Sequence, residues 1–185
     1  MTQLGTSVAT SAATLRREFD RSFAQPPPTE TARLENMLAV RIGGDAYAMR
    51  LAEIVGLYAD RRIVALPTTL PALLGMVGFR GRIAPVYDLA ALLGYGAARA
   101  PRWLVSARWR EPVALAFDAF EGQLMVPAAR VLAATGDGGA ARPHVRGAVQ
   151  VEALVRPLVH LPSVLEDIQK RVEATRSTTQ SAKEQ

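Results

Sequence analysis

An all-β fold, a barrel or a sandwich, is what this 185-residue chain predicts, and three observations predict it. From Met37 onward, apolar side chains alternate with others in short runs of period two, the spacing that buries one face of a strand. Glycine and proline punctuate those runs at close intervals, as the tight connections of barrels and sandwiches require. No long helical pattern separates the runs, which argues against a Rossmann-type parallel sheet. Apolar residues make up 49% of the chain and aromatics only 6%, so aliphatic side chains must fill most of the core.

Residues 1–36 differ from the rest. Leu15, Phe19 and Phe23 recur every four residues with Arg16, Arg17, Asp20 and Arg21 between them, which predicts a short amphipathic helix stopped by Pro26-Pro27-Pro28. At about ten residues such a helix is marginal alone in water, so it is expected to dock, either on its own domain or on a neighbouring chain.

Leu38, Val40 and Ile42 mark a first strand, Gly43-Gly44-Asp45 a hairpin turn, and Tyr47, Met49 and Leu51 the return strand. Ile54–Tyr58 reads as a third strand and Ile63–Leu66 as a shorter one ended by Pro67. Pro71–Leu74 has the form of a single helical turn closed by Gly75. Two β-type runs then flank an Arg80-Gly81-Arg82 turn, and Asp88 stands where it can cap a short Leu/Ala helix closed by Gly94.

Trp103–Ala107 and Val113–Phe117 form a second hairpin, Gln123–Val126 a short strand, and Pro127–Val131 another helical turn. Thr135–Pro143, with Gly136, Gly138 and Gly139, is a long flexible loop. Val145–Val151 and Leu154–Leu161 make the last hairpin. Leu161, Leu165, Ile168 and Val172 share one face of a helix over Pro162–Thr175, and Arg176–Gln185 is polar and expected to be disordered. The organisation expected is an extension over 1–36, one domain over 37–165, and a helix end with a polar tail over 166–185.

Several function classes fall away. Without cysteine there is neither a disulfide nor a thiolate metal site. No run of roughly 18 apolar residues occurs, and the first residues lack the pattern of a secretory signal, so a cytoplasmic protein without membrane insertion is expected. The net charge of +5 raises nucleic-acid binding, but only Lys170 and Lys183 are lysines and the arginines are scattered, with Arg16-Arg17 and Arg61-Arg62 the sole adjacent pairs. That reading stays open as a minor alternative.

Catalytic chemistry finds little support. There is no G-x-S-x-G, and Ser106 lies in an apolar strand without a histidine nearby in sequence. Gly136-Asp137-Gly138-Gly139 lacks the lysine and the strand-to-helix context of a phosphate loop. His144 and His160, with Asp118, Asp137 and Glu152 as the nearest acids, do not form spaced ligand pairs. No enzyme activity, metal or cofactor is expected. What remains is Arg80, held between Phe79 and Gly81 at a hairpin tip. Its fixed fork of donors and apolar stem are the combination enriched at interface hot spots.

Tyr47, Glu53-Ile54, Leu66-Pro67, the block Gly75–Leu89 (GMVGFRGRIAPVYDL), Phe117-Asp118-Ala119-Phe120, Val145-Arg146-Gly147 and Leu158–Leu165 follow one another in an order that is known. Over Met37–Leu165 the chain resembles the CheW-like domain, the coupling module of bacterial chemosensory arrays. It departs from the family pattern at Gly78, where an asparagine is usual, and at His160, where an aspartate or asparagine is customary. The resemblance implies two intertwined five-stranded SH3-like barrels with short helices. It implies a non-enzymatic adaptor between the cytoplasmic tip of a methyl-accepting chemoreceptor and the regulatory domain of a CheA-type histidine kinase, held at the inner face of the membrane through receptor arrays, with other coupling-protein copies as further partners.

Carried over by position, Arg80 with Gly81 matches the receptor-contacting arginine, Ile54 and Ala114 fall at apolar groove positions, and Gly56 and Leu57 fall in the kinase-facing strand. Gly56 replaces a residue that is polar in many relatives. The same fold also serves non-motility chemosensory pathways, such as pilus or developmental control, and the sequence does not separate the two.

Overall fold

The computed structural model describes residues 33–96, 101–133, 142–151 and 154–181. The helix expected around Leu15, Phe19 and Phe23 and most of the glycine loop after Thr135 lie outside the described residues. Leu34–Gln185 forms one compact unit.

Eleven strands lie in two sheets among the described residues. The chain opens with β1 (Leu34–Ile42) and β2 (Asp45–Arg50), paired antiparallel across the Gly43-Gly44 turn. A 3-10 turn over Leu51–Glu53 then carries it into the second sheet. There β3 (Ile54–Ala59), β4 (Leu73–Phe79), β5 (Arg82–Asp88), β6 (Trp103–Ala107) and β7 (Ala114–Phe117) take the order β3-β6-β7-β5-β4. The chain returns to the first sheet with β8 (Ala119–Pro127), β9 (Val131–Leu132), β10 (Val145–Val151) and β11 (Leu154–Val159), giving the order β8-β1-β2-β11-β10-β9. The first two and last four strands thus build one sheet and the five between them the other, the interleaving expected from the resemblance. The two-residue β9 makes the first sheet six-stranded.

Two parallel pairings close this arrangement: β5 with β7, Val86 opposite Ala114, and β2 with β11, Ala48 opposite Leu158. They bury strands on both faces. Met37, Ala48, Val126, Val149 and Leu158 fill the six-stranded sheet, and Val77, Phe79, Val86, Leu104, Ala114 and Ala116 fill the five-stranded one. The opposite faces meet in the largest core, where Val40, Ile42 and Met49 pack against Val105, Leu115 and Phe117. Helix α1 (Leu89–Leu92), capped by Asp88 through Ala90 N–H at 2.9 Å, adds Leu89 and Leu92 to it. Helix α2 (Leu161–Ser181) adds Leu161, Val164, Leu165 and Ile168.

Several elements differ from expectation. Pro71–Leu74 is not a helical turn: Leu73 opens β4, and Gly75 sits within the strand at φ 142°. A Cβ on Gly75 would stand 2.1 Å from the carbonyl oxygen of Val64, so this glycine serves a close backbone approach rather than a cap. Ile63–Leu66 contributes one bridge only, Val64 opposite Met76, because the prolines on its far side leave nothing to extend it. The strand expected at Gln123 starts at Ala119 and runs nine residues, its alternation hidden by the register shift opposite Ala39 and Val40. The last strand ends at Val159, and Leu161 already belongs to α2. That helix reaches Ser181 rather than ending at Thr175, since no glycine or proline interrupts it after Pro162.

Candidate binding groove

Arg80 and Gly81 are the two central residues of the β4–β5 hairpin, at φ 46° and 80°. Positive φ at both positions is the turn that fits the right-handed twist of paired strands. Gly81 adopts it freely; Arg80 is a non-glycine residue held there by the ladder from Leu73↔Tyr87 to Phe79↔Arg82. Gly78, the departure from the family pattern, lies opposite Ile83 in the part of that ladder that runs in register from Gly75 to Phe79, and a side chain there would meet open space. The missing asparagine therefore leaves Arg80 at the tip.

The hairpin tip overhangs a groove of about 250 Å³. One wall is the edge strand β3, with Val55, Gly56, Leu57 and Tyr58; the other carries Phe79, Arg80, Arg82 and Ala84, with Ser106 and Pro112 completing the lining. Tyr58 and Phe79 stack on each other with ring centres 4.2 Å apart, Phe79 being buried in the core of the five-stranded sheet. Gly56 makes this possible, since a Cβ there would come within 2.8 Å of the Tyr58 hydroxyl. The Arg61 guanidinium lies 5.4 Å from the centre of the Tyr58 ring. Among the described residues, no carboxylate pairs with Arg61, Arg62, Arg80 or Arg82, whereas Arg41, Arg50, Arg102, Arg142, Arg156 and Arg171 each have one. The groove is thus apolar and aromatic in its middle and cationic at its rim. Its lining offers guanidinium donors and packing surface but no imidazole or carboxylate to move a proton.

The sequence-derived positions divide here. Arg80, Gly56 and Leu57, assigned by resemblance to two different partners, line one groove. The apolar groove roles of Ile54 and Ala114 need correction. Ile54 is 5% exposed and packs into the core between the sheets, and Ala114 is fully buried inside the five-stranded sheet. Both support the walls from behind. Val55, 64% exposed on the groove side of β3, is the apolar contact that sequence reasoning missed. Val55 is the extra residue of a bulge, since the β3–β6 register shifts between Ile54 and Gly56.

A second polar cluster lies at the head of α2. Glu53 Oε2 accepts the Leu161 N–H at 3.0 Å, which ties the turn before β3 to the helix. Burial raises the pKa of Glu53; the Leu161 N–H, His160 and Arg50 partly offset the rise. His144, at φ 64°, reaches Ser163 Oγ with Nδ1 at 3.3 Å and Asp167 Oδ2 with Nε2 at 3.5 Å. Burial lowers its pKa, against the raising effect of Asp167.

The CheW-like domain model matches residues 36–169. Among solved structures, the scaffolding protein CheW of Thermoanaerobacter tengcongensis superposes with a TM-score of 0.61 at 16% identity, over 68% of this chain and 88% of that one; at such identity the likeness is one of fold. No curated protein sequence matches the chain significantly. With nearly three quarters of its residues under that family model, the chain belongs to the CheW-like domain family.

Proposed function

We propose that this protein is a non-enzymatic adaptor that couples the cytoplasmic tip of a chemoreceptor to a CheA-type histidine kinase, and that the groove between β3 and the β4–β5 hairpin is where the two meet. The observation that carries this reading is Arg80: an arginine without a carboxylate partner among the described residues, fixed on a rigid turn at the lip of an aromatic groove. A guanidinium in that setting is pre-organised to take a carboxylate or backbone carbonyl from a partner. The hairpin wall would hold the receptor tip and the β3 wall, through Val55, Gly56 and Leu57, the kinase regulatory domain. Family membership supports a scaffold.

Coupling then needs no cofactor. Two partners on adjacent walls of one groove bias each other's binding, and that linkage is reciprocal. The test measures the affinity of purified receptor-tip and kinase-domain fragments for Arg80→Glu and Leu57→Glu variants. Arg80→Glu is expected to weaken the receptor tip at least about 30-fold, the scale of a hot-spot loss near 2 kcal/mol, while moving kinase affinity less than threefold. Leu57→Glu is expected to do the reverse. Unchanged receptor affinity in Arg80→Glu would remove the groove from the proposal, and a loss confined to the same partner in both variants would mean that it serves only one.

A further inference from the structure

The chain's two histidines meet at one place, the first turn of α2. His160 precedes the helix and acts as its cap: imidazole Nδ1 accepts the Ser163 N–H at 3.2 Å, the bond an aspartate or asparagine side chain makes at this position. Its backbone N–H donates to the His144 carbonyl at 2.9 Å, and its own carbonyl accepts the Ser163 hydroxyl at 2.9 Å. A cap of this kind requires an unprotonated Nδ1. His144 packs on the other side of Ser163, its side chain 13% exposed, with Asp167 on its far nitrogen.

We propose that this histidine pair is a proton-released fastening of α2: with His160 neutral the helix end is held, and protonation of its Nδ1 removes the acceptor and frees the first turn. The charged form gains nothing from the cap, because a second N–H would then face the Ser163 N–H and the positive end of the helix dipole. Among the described residues, charged groups face the pair from three elements. Glu53, with Arg50 beside it, approaches His160 from the turn before β3. Asp167 and Arg171 from α2 and Arg146 from β10 face His144.

His144, lowered in the folded state, contributes stability that is complete above the unfolded value near 6.5 and is lost as pH falls through it. Glu53, raised in the folded state, acts oppositely, since the native form holds its proton more tightly. A loss of stability on acidification is therefore not the work of that carboxylate. The consequence reaches further than the helix. The freed turn carries Leu161, Val164 and Leu165 of the core between the sheets and the Leu161 N–H that anchors Glu53, immediately before the β3 wall of the groove.

The test follows Ser163 in the full chain. Hydrogen-exchange protection of its amide, corrected for intrinsic rates, is compared at pH 7.5 and 5.5 in wild type and in His160→Asn, which keeps an acceptor that does not titrate. Protection is expected to fall at least about fivefold in wild type, the loss of one side-chain cap, and less than twofold in His160→Asn. Equal pH dependence in the two proteins, or none in wild type, would overturn the proposal. A measurement without any variant guards against misfolding. The wild-type Ser163 amide shift should titrate with the midpoint of the His160 ring protons, and a different midpoint would equally refute it.

Discussion

At the tip of the β4–β5 hairpin a side chain occupies left-handed backbone, φ 46° at Arg80, where a non-glycine residue is disfavoured by roughly 1–2 kcal/mol. Nothing in the fold needs arginine there. The side chain is exposed, and the turn geometry would suit glycine better. Arg80→Gly is accordingly expected to raise Tm by about 2–4 °C, the shift that about 1 kcal/mol produces in a chain of this size, while losing receptor-tip affinity. Stability and binding moving in opposite directions, read by calorimetry and titration on one variant, would mark Arg80 as retained for contact. A fall in Tm would show that the arginine serves the fold. His160 is the other residue whose identity is informative. Sequence alone marks it as a departure from a customary acidic or amide residue, and the structure shows its imidazole making a cap bond of the kind that residue type makes.

Among the elements, turns and caps were legible because they depend on near neighbours. Gly43-Gly44 turns β1 into β2, and Asp88 caps α1. Gly75 was misread for the complementary reason. Leucines followed by glycine look like a helix end, and only the Val64 strand passing against it shows that the missing side chain makes room for another backbone. Gly75→Ala is expected to destabilise by about 2–3 kcal/mol or more, since the clash is with main chain in a tight ladder and the φ is unfavourable for alanine. Chemical denaturation checks it: a midpoint within error of wild type would mean that the Val64 segment yields easily and holds nothing. The groove's β3 wall was half legible. The strand itself was expected over Ile54–Tyr58, but the bulge at Val55 is a tertiary matter.

At the scale of the molecule, the two sheets do not have independent cores. Tyr87, Leu89, Leu92, Val105, Leu115 and Phe117 of the central segment turn their backs on the small core of their own sheet and bury themselves against β1, β2 and α2. Burying each is worth about 1.5–3 kcal/mol, together comparable to the whole stability of a typical domain, about 5–15 kcal/mol. Residues 51–118 produced alone are therefore expected to lack cooperative unfolding and near-ultraviolet dichroism. A sharp thermal transition in that fragment would show the five-stranded sheet to be self-sufficient. The same double burial explains why period-two reading gave strands but understated the core. Met37 and Ala39 are as buried as Leu38 and Val40, because one face of β1 fills its own sheet and the other fills the space between sheets.

By itself the sequence determined the strand periodicity, the hairpin turns, the Asp88 cap and the block around Arg80 that identifies the family. Each of these rests on residues within a few positions of one another, where steric and hydrogen-bonding preferences act directly. Tertiary structure alone decided that β2 lies beside β11, that the wall carrying Gly56 and Leu57 faces the lip carrying Arg80, that Ile54 and Ala114 are sealed inside, and that His144 and His160 share one helix end. Those contacts join segments far apart in the chain. They are chosen by which whole arrangement buries both faces of the sheets at once, a property that no local window contains.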